Sequence, residues 1–462
     1  MFVQQFFIPG IAHSSYLIAG ETQCAVVDPS RDIDRYLRAA RDLGLPISHV
    51  LETHLHADFV SGHIELAEKT GAAIYAPAEG HCTFPHTPVR TGTTFDIDRM
   101  TFSVADTPGH TPDCVVYVVT DHARGDGPAV VFTGDTLFVG DVGRPDLFPG
   151  RAKELSHLLF ESLRHALLTL PDDCLVYPAH GAGSLCGRAM GAMRESTIGY
   201  ERANNPALAI DDPEVFAETL TSDMPPAPDH FSRCSEINRH GAPPLSAFPA
   251  VPPLPPHEFA EKRGDGNTVV LGIRDYAGFG GLHIPGSYHI DIGGNFSTFA
   301  GWVIPPDKDI LLVTDNPLQV PDAAVMLRRV GLDRIAGYLA GGTHAWVTAG
   351  YAADHVHQLS PAEVHARLRD PGVVLVDVRT PAEFAEGHVP GAVNILAMDL
   401  RTRHTDLDPA APVIVMCRTG HRSSLASSLL KQQGFRDVSN AAGGITGYIA
   451  GGFMTGSKEK TG

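Results

Sequence analysis

"THLHADFVSGH", residues 53–63, is the stretch from which the rest of the chain can be read. Two imidazoles, His54 and His56, stand one residue apart, and the carboxylate of Asp58 follows. Metal-binding loops of the form H-x-H-x-D-H end in one more histidine. Here that position is Phe59, and a phenyl ring cannot coordinate. The segment just before it, "SHVLETH", is β-rich. After it, Val60, Ile64 and Ala67 recur at helical spacing, and Gly71 is the expected stop. The motif is therefore expected in a strand-to-helix loop at a sheet edge.

Three further loops repeat this chemistry. They are "TPGHTPD" with His110, "FTGDTLF" with Asp135 and "YPAHGAG" with His180. Each follows or precedes a short β run such as "CVVYVVT", "AVVFTGDTLF" or "CLVYPAH". A lone histidine is more often a satisfied core or surface residue. Four such loops in this order, three of them beside glycine, favour a metal site instead. Imidazole with carboxylate suits zinc, iron or manganese.

In these four loops the chain resembles the metallo-β-lactamase superfamily, over about residues 1–235. The resemblance implies an αββα sandwich with metal at the sheet edge. Dinuclear members such as glyoxalase II hold a second metal through the final histidine of the motif, which Phe59 replaces. The persulfide dioxygenases of the superfamily use a single iron held by two His and one Asp. Carried over, that set is His54, His110 and Asp135, a 2-His-1-carboxylate arrangement with open positions. His56, Asp58 and His180 then surround the ligands and orient them. The segment "GDVGRPDL" matches a G-R-x-D pattern of these dioxygenases. Arg144 with Asp146 there either clamps a substrate carboxylate or forms a structural salt bridge. After His180 the chain departs from the dioxygenase pattern with "GAGSLCGR". This brings Cys186 near a metal loop, as an accessory sulfur carrier or as an inert buried thiol.

The C-terminal half repeats itself. "VVLGIRDYAGFGGLHIPGSYHI" (269–290) matches "VVLVDVRTPAEFAEGHVPGAVNI" (373–395), with Arg274, Phe279, His283, Pro285 and Gly286 answering Arg379, Phe384, His388, Pro390 and Gly391. Two copies of one α/β domain with a parallel sheet are expected. In the second copy, "VIVMCRTGHRSS" reads as strand, loop and helix. Cys417 then sits where loop amides and a helix N-terminus converge, a setting that favours anions. Arg418 and Arg422 add positive charge. Only four residues separate Cys417 from Arg422, one fewer than in a Cys-x₅-Arg phosphatase loop. The loop therefore suits a terminal sulfur rather than a phosphate. With "DVRTPAEFAEGHVPGA" it resembles the rhodanese sulfurtransferases. The resemblance implies a Cys417 nucleophile that becomes a persulfide, stabilised by the loop amides, Arg418 and Arg422. The first copy has Thr314 or Asp315 at the cysteine position and is expected to be inactive. Arg379 and His388 are expected to serve the fold, since the first copy has both.

The expected architecture is α/β and multidomain. A metallo-β-lactamase-like domain (1–240) leads through a Pro-rich linker (241–256) to an inactive rhodanese-like domain (257–355) and an active one (356–462). The formal net charge of -18 argues against nucleic acid or an anionic membrane as partner. The N-terminus lacks a signal-peptide pattern, and no apolar run is long enough to span a membrane. Seven scattered cysteines without C-x-x-C fit a reducing compartment, so a cytoplasmic location is expected. The combined resemblance is to persulfide dioxygenase–sulfurtransferase fusions. It implies one Fe(II), a small thiol persulfide such as glutathione persulfide, O₂, thiosulfate or sulfite, and a homo-oligomer (dimer or tetramer). The competing reading is a zinc-dependent, glyoxalase II-like thioester hydrolase with rhodanese appendages.

Overall fold

The computed structural model describes residues 1–456 apart from 189, 223 and 225. It forms two compact units. One comprises residues 1–249 with 328–331, and the other holds the rest of the chain. Residues 457–462 of the expected last domain lie outside the described residues.

The first unit contains two six-stranded sheets, each built in chain order. The first runs Phe2–Ile8, His13–Ala19, Cys24–Val27, Ile47–Leu51, Ala73–Pro77 and Thr87–Val89. It begins antiparallel and turns parallel from Cys24–Val27 onward. The second runs Thr94–Ile97, Met100–Asp106, Val115–Asp121, Pro128–Gly134, Leu175–Pro178 and Ser196–Thr197. Its one parallel pair joins Pro128–Gly134 to Leu175–Pro178. Alternation decides which face is buried: Met100, Phe102 and Val104 point inward while Ser103 is exposed. Tyr16, Val27 and Leu51 of the first sheet meet Phe102, Tyr117 and Phe132 of the second in one core. Full burial of each such side chain contributes about 1.5–3 kcal/mol.

Helices cover both outer faces. Tyr36 and Ala39 from Asp34–Leu43, with Leu66 from His63–Thr70, pack on the first sheet. Leu159 from Ala152–Ser162 and Phe216 from Pro213–Thr221 pack on the second. The result is the expected αββα sandwich. The helix after the opening motif ends at Gly71 with φ 76°, as expected. Val60 lies in the loop just before it.

The second unit contains two five-stranded parallel sheets with the same strand order. One is Pro253–Leu254, Ile335–Leu339, Asp309–Val313, Thr268–Gly272 and Tyr288–His289. The other is His357–Leu359, Val438–Ala441, Val413–Met416, Val374–Asp377 and Val393–Asn394. The shared order matches the internal repeat. The repeated residues serve both copies alike. His283 bonds to the carbonyl of Phe279 at 3.1 Å and stacks on its ring, and His388 does the same with Phe384 at 2.9 Å.

The Pro-rich run is partly absorbed into these elements. Ala242 is buried, and the Leu245 N–H donates to Glu65 Oε2 at 2.6 Å within the first unit. Pro253 starts an edge strand and Pro256 the first turn of helix Pro256–Arg263, positions where a missing N–H costs little. No helix among the described residues is long and apolar enough to cross a membrane.

Candidate active sites

Strand ends of the sandwich deliver the ligand candidates. His54 follows Ile47–Leu51, His110 lies between Met100–Asp106 and Val115–Asp121, Asp135 directly follows Pro128–Gly134, and His180 follows Leu175–Pro178. One donor atom each from His54, His110 and Asp135 lies within 4.8 Å of the others, and all three residues are buried. His110 Nε2 is 3.3 Å and His54 Nε2 3.7 Å from Asp135 Oδ2. None of these three atoms makes a hydrogen bond. Buried polar atoms are rarely left unpaired, so three converging orphans fit a bound metal. The opposite ring nitrogens are engaged. His110 Nδ1 donates to the carbonyl of Arg144 at 2.8 Å. His54 Nδ1 meets Thr53 Oγ1 at 3.0 Å, and that hydroxyl donates to Asp28 Oδ2 at 2.9 Å. Both rings are thus held with the Nε2 lone pair facing the cluster.

The electrostatics agree. Burial, reinforced by His56, pushes the His54 imidazole well below its ordinary range and keeps it neutral. Burial likewise lowers His110, against the pull of Asp135. Burial alone would raise the Asp135 carboxyl, but His180, His54 and His110 together hold it far below the usual carboxylate range. Neutral imidazoles and an ionised carboxylate are the forms that bind metal.

The structure sets the remaining motif residues around this cluster. His56 turns to the other side, with Nε2 3.2 Å from Asp28 Oδ1 and 3.6 Å from Glu52 Oε2. Burial opposes charge on His56, yet Asp28 and Glu52 raise its pKa overall. Phe59 is fully buried, 4.0 Å from the His13 ring and 4.4 Å from His56 between centroids, beside Ile8 and Ile11. His180 bridges two carboxylates, with Nδ1 2.7 Å from Asp135 Oδ1 and Nε2 2.8 Å from Asp58 Oδ2. Burial works against its charge, but the two carboxylates hold it well above the ordinary imidazole range. Cys186 is buried with Ala57, Phe138 and Phe231, and one donor atom each from Asp58, His180 and Cys186 lies within 4.8 Å of the others. Burial, then Asp58 and Asp135, pushes the Cys186 thiol well above its usual range, so it stays a thiol.

Arg144 forms the salt bridge that was one of its two expected roles. Nε and Nη2 donate to the two oxygens of Asp146 at 2.7 Å each, and Nη1 donates to the Leu185 carbonyl at 3.1 Å. Its side chain is 1% exposed. The guanidinium fork thus faces Asp146 and the Leu185 carbonyl. The Arg144 backbone carbonyl orients His110.

In the second unit, Cys417 ends strand Val413–Met416 and precedes helix His421–Gln432. The Gly420 N–H donates to its Sγ at 3.1 Å and Ser423 Oγ at 3.3 Å. Arg418 is exposed. Arg422 forms a two-pronged pair with Glu383, both prongs 2.7 Å. Burial disfavours charge on Glu383, but Arg422 brings its carboxyl down to about 2. Arg422 therefore contributes its charge near Cys417 while its fork is held elsewhere. In the middle copy, Asp315 stands after strand Asp309–Val313, accepts from the Thr343 N–H at 3.1 Å and pairs with Arg274 at 2.9 Å. Thr314, which directly follows that strand as Cys417 follows Val413–Met416, puts a hydroxyl where the other copy presents its thiol, which fits an inactive domain.

Sequence reasoning missed Thr53, Asp28, Glu52 and Glu383. Glu383 carried a legible signal, since "TPAE" at 380–383 is a capping box, and Thr380 and Glu383 do cap helix Pro381–Glu386. Asp28 and Glu52 had none, because only folding brings Cys24–Val27 beside Ile47–Leu51.

Fold and donor set together define a metalloprotein built on an αββα sandwich, joined to a duplicated thiol-bearing α/β domain. A model of the Metallo-beta-lactamase superfamily matches residues 8–180, and the Rhodanese-like domain matches 255–349 and again 360–450. The human mitochondrial persulfide dioxygenase ETHE1 is 30% identical over 213 residues, covering 45% of this chain and 76% of that protein. The hydroxyacylglutathione hydrolase of Methylobacillus flagellatus is 31% identical over 251 residues, covering 49% and 94%. A crystal structure of a metallo-beta-lactamase from Staphylococcus aureus subsp. aureus COL shares 33% identity with a TM-score of 0.67, covering 73% of this chain and 98% of that one. The chain belongs to the metallo-β-lactamase superfamily and carries two rhodanese-like domains after that fold.

Proposed function

We propose that the protein oxidises a low-molecular-weight thiol persulfide, glutathione persulfide in the first instance, to sulfite with O₂. We propose further that it exchanges sulfane sulfur between thiosulfate and thiols through Cys417. The general kind of function, persulfide dioxygenase with sulfurtransferase, rests on the relatives and the rhodanese-like domains. The finer reading is carried by one observation. Two imidazoles and one carboxylate converge with free donor atoms, while His56 faces Asp28 and Phe59 fills the place of the missing ligand. That favours one metal with open positions over a bridged pair, and iron over zinc for oxygen chemistry.

A single iron held by His54, His110 and Asp135 would supply the redox chemistry that moves oxygen onto sulfur. The chain's own groups prepare that site. The Arg144 carbonyl and the Thr53–Asp28 pair fix the two rings, and His180 holds Asp135 from the far side. Burial excludes bulk water from all of them. At the second site, the Cys417 sulfur attacks the outer sulfur of thiosulfate. The S–S bond breaks and sulfite leaves with its electron pair. An incoming thiolate then takes the outer sulfur, and Cys417 departs as thiolate. The Gly420 amide and the Ser423 hydroxyl are placed to stabilise that sulfur in both steps.

The hydrolase reading keeps the support of several hydroxyacylglutathione hydrolases among the relatives, 28–35% identical. Metal analysis of protein purified without added metal, with O₂ uptake on glutathione persulfide, separates the two. Iron near one per chain with O₂ uptake supports the dioxygenase. Zinc with thioester hydrolysis and no O₂ uptake overturns it.

A further inference from the structure

The middle rhodanese-like domain has no thiol, yet two of its side chains reach the Cys417 loop. His421, the first residue of the helix after that loop, places Nδ1 2.7 Å from Asp291 Oδ2. Asp291 follows the short strand Tyr288–His289 of the middle domain and also accepts from the Tyr276 N–H at 3.2 Å. The Tyr276 ring stands edge-on to His421, with centroids 5.1 Å apart and planes at 86°. It also lies against Gly420, where a Cβ would come within 3.2 Å of Tyr276 Cζ. Gly420 has φ +104°, and its N–H is the amide that donates to Cys417 Sγ. Asp291, Tyr276, His421, Gly420 and Cys417 are therefore linked contact by contact across two domains. The contact is anchored elsewhere too. The His289 N–H donates to Ser428 Oγ, and Lys431 pairs with Asp354 at 2.9 Å.

We propose that Asp291 and Tyr276 are positioning residues for sulfur transfer at Cys417, acting through His421 on the Gly420 amide. The catalytically silent domain then completes the active loop of its sister. The loop's own domain holds it by the carbonyl side: Cys417, Arg418 and Gly420 accept from the Ile445 and Thr446 N–H groups and from Asn440 Nδ2. A carboxylate bonded to the first helical residue, with an aromatic ring behind the glycine, adds a constraint from the side where the Gly420 amide meets the sulfur. The inference rests on the reading of Cys417 as a sulfur carrier.

The test uses the full chain with thiosulfate as donor and glutathione as acceptor, following sulfite release. Asp291→Ala is expected to lower kcat about tenfold, the size of effect a charge-assisted hydrogen bond carries, with the KM for thiosulfate within about twofold. Asp291→Asn keeps an acceptor oxygen for His421 Nδ1–H and should retain at least about half the rate. His421→Ala should cost as much as Asp291→Ala, and the double variant no more than either, because the two act as one unit. Lys431→Ala, which removes an ion pair of the same interface away from the loop, should transfer normally. An Asp291→Ala rate within about twofold of wild type, additive losses in the double variant, or an equal loss in Lys431→Ala each overturns the proposal. Absence of transfer by the wild-type chain would instead sink the sulfurtransferase reading itself. A thermal melt of each variant separates misfolding from mispositioning, and Asp291→Asn supplies the outcome if Asp291→Ala does not fold.

Discussion

Glu383→Gln isolates one ion pair beside Cys417. Gln keeps an acceptor for the Thr380 N–H, which bonds to Glu383 at 3.1 Å, so the capping box survives and only the charge is lost. The folded-state carboxyl lies at about 2, against an ordinary 4.5. That gap corresponds to about 3 kcal/mol at about 1.4 kcal/mol per pKa unit. The pair is partly solvated, with side chains 22% and 23% exposed, so screening reduces the expected loss to about 1–2 kcal/mol. A lowered carboxyl stabilises the fold fully above its unfolded pKa, near 4.5, and that contribution disappears as pH falls toward about 2. The variant should therefore be less stable than wild type at pH 7, with the difference shrinking below pH 4.5. Both tryptophans, Trp302 and Trp346, lie in the unit that carries Cys417, so urea unfolding followed by their fluorescence reports that unit. Equal stability at pH 7, or a difference that grows with acid, would refute the reasoning.

Cys417→Ser should abolish thiosulfate-to-thiol transfer while leaving persulfide-dependent O₂ uptake intact; loss of both would show that the two chemistries are not separate. Thr53→Val breaks the hydroxyl link between His54 and Asp28. It should weaken metal binding about 10–100-fold in a chelator competition, and unchanged affinity would remove that link from the metal site. Gly444 has φ +56°, and a Cβ there would come within 2.4 Å of the Cys417 carbonyl. Gly444→Ala should therefore cut sulfur transfer sharply and spare metal content, as read by sulfite release and elemental analysis. Arg144→Lys keeps the charge but cannot reproduce the two-pronged bond to Asp146, whose side chain is 24% exposed, so the loss is expected to be about 1–3 kcal/mol. The expected result is a lower melting temperature for the first unit, with metal loss at mild heating.

Residue types and spacing carried much of this protein. The αββα class was implied by the family resemblance that four His/Asp loops at strand ends carry. The duplication followed from a repeat in which Arg274 and Arg379, or His283 and His388, answer one another. Cys417 was legible because strand, short basic loop and helix are consecutive in the chain. Local chemistry of this kind survives in sequence because its parts are covalent neighbours.

What the fold alone decided were the pairings. The sequence "GRPD" does not say where the Arg144 fork points, and the fold closes it on Asp146. His56 and His54 occupy equivalent places in "HLH". Asp28, delivered by a neighbouring strand, draws His56 to the other side while His54 faces His110 and Asp135. The middle rhodanese-like domain likewise gave no sign in its sequence of holding Asp291 against His421, since the two are 130 positions apart. The physical reason is common to all three. A sequence states which donors, charges and thiols exist and how each strand must face. Which donor meets which acceptor is settled when distant strands pack and nearly all buried polar atoms must find a partner or, as at His54, His110 and Asp135, converge on one site.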